Sequence, residues 1–262
     1  MPTELDRALA FEEALSARSA ERIVPFRSGR AYFNDSFPRV WDLNFLRVDG
    51  GKAVDPGELA AEAELLHTDA GHTHRRVEVP DEDVGARLET FFRRLGWKIE
   101  RDVILVYRGA GERSVGTSIV EEVAPEDLLA LREEVSRAEA WATDEEALRE
   151  VLAASRIWGT IANARYFAVR VDGAPVSAAE LYTDGRVAQV EDVVTLPDYR
   201  GRGFASAVVL RAVEEALAAG VDLVFLVAGD DDRPKELYGR LGFEVVGRTW
   251  SFLRSPIQAA RN

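Results

Sequence analysis

The feature that most constrains this chain is that it repeats itself. Residues 91–109, FFRRLGWKIERDVILVYRG, lay over residues 236–254, ELYGRLGFEVVGRTWSFLR. In both stretches a short helical pattern ends in Arg-Leu-Gly-aromatic and runs into a strand. The flanking elements follow in the same order. HRRVEV mirrors DLVFLV, a helix expected over 55–66 mirrors one that opens at Gly203, and WDLNFLRVDG mirrors a strand over 190–196. Self-similarity over this length means tandem copies of one fold, not a solenoid of short units. A chain of 262 residues has room for two domains of about 130 residues each. The Gly/Arg stretch GAGERSVG, residues 109–116, is the expected junction, which divides the chain into residues 1–112 and 113–262.

The second half parses cleanly, in the order βααβββαβαβ. TSIVEEV, residues 117–123, alternates as a strand does. Pro125 opens one helix, and Thr143 is the expected cap of another, with Glu146 at capping-box spacing. Asp172-Gly173 joins two strands in a hairpin, and Asp184-Gly185 leads into a long strand over 186–196. The helix from Gly203 carries Val209, Val213 and Leu217 at helical spacing and closes at Gly220. A buried strand over 221–229, a short helix and a last strand complete the half.

The chemistry is concentrated in VEDVVTLPDYRGRGFASAVVL. A strand ends at Pro197, a loop of arginines and glycines follows, and a helix begins at once. The first N–H groups of a helix have no partner inside it, and the helix dipole makes that end positive. With Gly201 and Gly203 letting the backbone approach closely, this is a cradle for phosphate. A dinucleotide fold would place its Gly-x-Gly-x-x-Gly in an opening βαβ unit, with an acid about 20 residues on. Here the motif comes late, after a hairpin, and lacks the third glycine. No lysine stands where a nucleoside-triphosphate loop needs one.

Arg200-x-x-Gly203-x-Ala205 resembles the pyrophosphate signature of the GNAT superfamily of N-acyltransferases. Leu237-Tyr238-Gly239-Arg240-Leu241-Gly242-Phe243 resembles the same family's helix-to-strand turn, at the usual spacing. The resemblance covers about residues 117–254. It reaches the first half only in outline, because VDGGKAVDPGEL stands at the loop position without the arginine–glycine signature. The layout is similar to that of tandem GNAT enzymes such as mycothiol synthase, with a degenerate N-terminal copy. What this implies is a mixed α/β fold. Each copy would have a mixed central sheet containing a splayed parallel strand pair, flanked by helices.

The resemblance also implies acetyl-CoA as co-substrate and transfer of its acetyl group to a primary amine. Pyrophosphate binding would fall to the backbone of Arg200, Gly201, Arg202, Gly203, Phe204 and Ala205, and pantetheine binding to the strand edge at Val193, Val194 and Thr195. Asp231 stands where many members have Asn and would hold a water or the donor. Tyr238 matches the family's acid beside the sulfur. Strand alternation puts Gln189, Glu191 and Val193 on one face, with Val190, Asp192 and Val194 on the other. By the resemblance the base would stand at the Gln189 or the Glu191 position; Gln189 cannot take a proton, so Glu191 is the expected base, with Asp192 the alternative. Loss of the base would instead leave a non-catalytic acyl-CoA sensor or partner-binding module.

The formal net charge of -13 argues against nucleic acid as a partner and fits a cationic substrate; a small amine is favoured over a protein as the acceptor. The N-terminus places acids where a signal peptide needs apolar residues, and residues 223–228 are the longest apolar run. The expectation is a cytoplasmic monomer or homodimer with no membrane partner. Cysteine is absent, which removes thiolate chemistry. His72 and His74 are expected to alternate on one strand face, with His67 apart on a helix. With no third ligand beside them they read as structural, and no metal is expected.

Overall fold

The computed structural model of the chain describes residues 1–49, 53–109, 111, 115–231 and 233–255. The expected junction therefore lies partly outside the described residues, as do residues 50–52 of VDGGKAVDPGEL. The chain opens with α1 (Glu4–Ser19), started by a capping box between Thr3 and Asp6. Then follow β1 (Arg22–Phe26), β2 (Gly29–Phe33), β3 (Phe45–Val48), α2 (Pro56–Asp69), β4 (Arg75–Val79), α3 (Glu82–Arg94) and β5 (Lys98–Tyr107). The second half has β6 (Glu121–Val123), α4 (Leu129–Arg137), α5 (Glu145–Ile161), β7 (Arg165–Val171), β8 (Ala174–Thr183) and β9 (Val187–Thr195). It ends with α6 (Phe204–Ala218), β10 (Leu223–Gly229), α7 (Arg233–Arg240) and β11 (Phe243–Arg254). The repeat is present in three dimensions: β3-α2-β4-α3-β5 and β9-α6-β10-α7-β11 run in the same order.

Several local readings shift. Residues 117–119 are not strand, because β6 begins only at Glu121. The cap of α5 is Asp144, whose carboxylate accepts from the N–H groups of Glu146 and Ala147; Thr143 instead donates its hydroxyl to the Ala140 carbonyl. Trp41–Leu43 forms a 3₁₀ turn before the strand. His72 and His74 precede β4 rather than alternating on it. No described helix is long and apolar enough to cross a membrane.

Among the described residues eleven strands form one mixed sheet, ordered β1-β2-β3-β4-β11-β5-β10-β9-β8-β7-β6. The two copies trade their last strands. β11, from the second half, lies between β4 and β5, and β5, from the first half, lies between β11 and β10. Each strand is buried in the other copy's core. Val103 and Leu105 of β5 pack with α6 residues, whereas Trp250 and Phe252 of β11 pack with Phe92 and Trp97. Phe92 and Phe252 stack at 4.5 Å.

The Leu-Gly-Phe turn shows why the repeat keeps its glycine. Gly242 has φ +99, and a Cβ there would lie 1.9 Å from the Gly109 carbonyl oxygen. Gly96 takes the same left-handed conformation at the matching turn of the first copy. Helix α1 packs against β5, β9 and β11, with Phe11 edge-on to Phe225 of β10 at 5.8 Å.

Candidate functional site

Each copy contains one parallel pair, β3 with β4 and β9 with β10. In the second copy pairing runs only from Val187↔Leu223 to Gln189↔Phe225. Beyond that point β10 bonds only to β5 and β9 only to β8, so the two strands part and leave a gap. The second half of β9 thus has a backbone edge facing open space, and such groups call for a partner.

At the end of β9 a 3₁₀ turn, Pro197–Tyr199, leads into the glycine loop. Gly201 and Gly203 have φ +76 and +86, conformations that an L side chain rarely adopts. Gly203 is the N-cap of α6 and has no side chain to satisfy the first turn. Arg200 and Arg202 fold back onto the loop, donating to the carbonyls of Thr195 at 3.1 Å and Asp198 at 3.0 Å. The cradle is therefore made by the backbone N–H groups of Phe204, Ala205 and Ser206 together with the dipole, which fits a pyrophosphate. The matching helix of the first copy differs. Asp55 caps α2, accepting from the Glu58 N–H at 2.9 Å, which puts a carboxylate where an anion would sit.

Simple alternation fails along β9. Ala178 pairs with Val194 and Glu180 with Glu191, so one residue of β8 faces two of β9, Asp192 and Val193. This is a β-bulge, with Asp192 at φ +46. The bulge turns Asp192 and Val194 to the same side as Gln189 and Glu191, and sends Val193 to the α6 core beside Val190. The expected grouping of Val193 with Glu191 is overturned for that reason.

On the Glu191 side lies a cavity of about 480 Å³, roofed by α1, α4 and α5 and floored by strands of both copies. Among the described residues seven carboxylates line it: Glu12, Asp42, Glu78, Asp102, Glu180, Glu191 and Asp192. They face three guanidiniums, Arg47, Arg76 and Arg132. Burial pushes the Glu191 carboxyl up to about 8, reinforced by Glu12, Asp192 and Glu180. Glu12 rises to about 7 by burial, which outweighs the opposing pull of Arg47. Glu180 also rises to about 7, since burial and Asp192 outweigh its ion pair with Arg132. Arg132 also reaches Asp192 at 3.3 Å and lies over the Tyr166 ring.

Gln189 bridges two of these acids, donating to Glu191 and, at 3.5 Å, to Glu12. Glu12 is the residue that the sequence hid. It sits in an ordinary amphipathic helix at the far end of the chain, and only packing brings it to β9.

Tyr238, on α7, is buried on the α6 side of the sheet, across the gap from Glu191. Burial pushes its hydroxyl up to about 12, and the nearby Glu191 carboxylate adds to the shift. Glu191 and Tyr238 thus flank the gap from opposite faces, close enough to feel each other's charge. Asp231 is not part of this arrangement; it is exposed and ion-paired with Arg101 at 2.7 Å.

Residues 128–243 match the acetyltransferase (GNAT) family. That match lies wholly within the second half of the chain. Its splayed pair, glycine loop and tyrosine turn all fall within or beside the matched residues. No curated protein matches the chain. Among solved structures, a functionally unknown conserved protein from Staphylococcus epidermidis is 16% identical with a TM-score of 0.70, covering 91% of this chain and 95% of its own. A GCN5-related N-acetyltransferase from Kribbella flavida is 22% identical with a TM-score of 0.64, covering 98% and 96%. A tandem GNAT protein from the clavulanic acid biosynthesis pathway is 18% identical with a TM-score of 0.55, covering 95% and 94%. At these identities the likeness is one of fold, and it extends over the length of both halves.

Proposed function

We propose that this chain is an acetyl-CoA-dependent N-acyltransferase whose acceptor is a small, cationic primary amine. The observation that carries the reading is the gap between β9 and β10. One end of it meets the uncapped N-terminus of α6, and its two faces carry Tyr238 and Glu191. The backbone of residues 200–205 would hold the donor's pyrophosphate, and the free edge of β9 at residues 193–195 its amides. Asp231, on its exposed turn, keeps at most a peripheral role. The asymmetry between Gly203 and Asp55 supports one donor per chain.

When bound, the donor supplies a thioester carbonyl to the amine. Glu191, with its carboxyl near 8, is matched to taking a proton from an ammonium group at mildly alkaline pH. Tyr238 holds its proton across the whole physiological range and can give it to the departing sulfur. The excess of carboxylates in the cavity attracts a cation and repels a carboxylate-bearing acceptor. A volume of about 480 Å³ under a helical roof suits a small molecule better than an extended peptide.

The test is a turnover screen of amines with acetyl-CoA, reading thiol release. Polyamines and other multiply charged amines are expected to be acetylated, and amines carrying net negative charge are not. Donor binding with no turnover on any amine would favour the non-catalytic sensor.

A further inference from the structure

The three histidines of the chain meet at one point, far from the glycine loop. His67 lies on the last turn of α2. Gly71, at φ +76, turns the chain back, with the His72 N–H donating to the His67 carbonyl at 2.9 Å. His72 and His74 then stand in the loop that enters β4. The exposures of His67, His72 and His74 are 0%, 5% and 0%. A ring nitrogen of each lies within 4.8 Å of the others. Residue spacing alone leaves His67 apart on its helix; the chain reversal at Gly71 brings it here.

The ring nitrogens do not balance by themselves. His74 Nε2 lies 2.9 Å from the Asn44 carbonyl, which can only accept, so Nε2 carries the hydrogen and Nδ1 keeps its lone pair. That Nδ1 is buried without a partner. His67 Nε2 lies 3.2 Å from the Arg76 amide nitrogen, whose N–H can donate to it, and 3.3 Å from the Arg76 carbonyl, while its Nδ1 faces His72 Nδ1 at 3.0 Å. Two such nitrogens can share only one hydrogen between neutral rings. His72 Nε2 is also buried and unpartnered. Polar atoms orphaned in this way are uncommon in folded proteins and ask for a ligand. The rings also touch Phe33 and Trp41, but carbon contacts leave the lone pairs unused.

All three rings are buried, an environment that disfavours a charged imidazolium. Arg75 and Arg76 adjoin the cluster along the chain, and Arg22 lies over the Phe33 ring that packs on it. Each of these guanidiniums has its own carboxylate: Arg75 with Glu64, Arg76 with Asp42, and Arg22 with Asp35. Neutral imidazole is the ligand form that zinc-class cations bind.

We propose that His67, His72 and His74 form a three-histidine site for a divalent transition metal, zinc being the expected occupant, which ties the end of α2 to the loop entering β4. The Asn44 carbonyl would hold His74 through its Nε2 hydrogen, the usual outer-shell arrangement, and the Arg76 backbone meets His67 Nε2 with both its N–H and its carbonyl. Zn–N bonds of about 2.0–2.1 Å set tetrahedral nitrogens roughly 3.3 Å apart, so the rings close by shifts of about 1 Å. His72, the most exposed of the three, marks the side from which a fourth ligand, water, would come.

The test uses untagged full-length protein stripped with chelator, then dialysed against zinc or cobalt. One metal per chain, ligand-field absorption of the cobalt form, and a higher thermal midpoint with zinc are expected. His74→Phe should keep the fold and weaken zinc binding by more than about 100-fold, beyond the scale of an outer-shell change. His72→Gln should behave likewise and covers the case in which His74→Phe fails to fold. Wild-type protein that takes up no zinc overturns the site. So does folded His74→Phe or His72→Gln protein that keeps full zinc stoichiometry. None of these readouts depends on acetyl transfer.

Discussion

Tyr238 and Glu191 divide the proton work between the two faces of the β9–β10 gap, and each can be removed alone. Tyr238→Phe deletes one hydroxyl from a packed ring. It should lower kcat by about 10²-fold or more, the usual scale of general acid catalysis. Donor affinity measured by calorimetry should stay within a few-fold, because the α6 backbone carries it; an unchanged kcat would remove Tyr238 from the chemistry. Glu191 predicts a pH signature. Its carboxyl is pushed up to about 8, so below that pH most of it is protonated and cannot accept. Wild-type kcat/KM should therefore rise with pH through a limb near 8. Glu191→Gln should lose about 10²-fold at neutral pH, and its remaining limb should move to the amine's own pKa. A variant that keeps the limb near 8 would pass the base to Asp192 or Glu12. Strand alternation puts Gln189 and Glu191 on one face, and both line the cavity. It misplaces their neighbours, because a bulge at Asp192 resets the alternation, and nothing in the residue pattern announces a bulge.

Two helices with the same place in the repeat meet anions differently. Helix α6 begins at a left-handed glycine without a cap, whereas α2 begins at Asp55, which closes its own first turn. Ala205→Glu tests the open end. An acid in the first turn of a helix stabilises it by about 0.3–1 kcal/mol through the dipole, so the thermal midpoint should hold or rise. The same carboxylate would repel a pyrophosphate, and CoA affinity should fall by about 10²-fold or more. Retention of normal affinity would move the phosphate site elsewhere. Both helices and the glycine loop were legible in the sequence, since caps, glycines and apolar spacing are local properties. The trimmed β6 and the shift of the α5 cap from Thr143 to Asp144 were not, because short-range competition between neighbouring caps is nearly balanced in energy.

At the scale of the molecule the two copies share one sheet and exchange their last strands. A division at residues 112/113 is proposed as the boundary of the repeat rather than of two self-sufficient bodies. A fragment of residues 113–262 lacks β5, which supplies Val103 and Leu105 to its core, and leaves Trp250 and Phe252 of β11 without Phe92 and Trp97. Such a fragment should aggregate or remain unfolded by circular dichroism, and co-expression with residues 1–112 should recover soluble complex. A fragment that unfolds cooperatively by itself would show that the exchange of strands is dispensable.

What the sequence by itself determined was the order of helices and strands in each copy, the start of α6 at Gly203, and the Leu-Gly-Phe turn. All of these rest on contacts between residues close along the chain, which spacing and residue type encode. Only the tertiary structure decided the exchange of β5 and β11, the arrival of Glu12 beside Gln189, the carboxylate-rich cavity shared by both halves, and the meeting of His67 with His72 and His74. The strand exchange, Glu12 and the shared cavity depend on contacts between residues many tens of positions apart, set by how whole faces bury their apolar area. The histidines, though near in sequence, meet only because the chain reverses at Gly71. In each case the side chain's own neighbours look the same whether or not the contact forms.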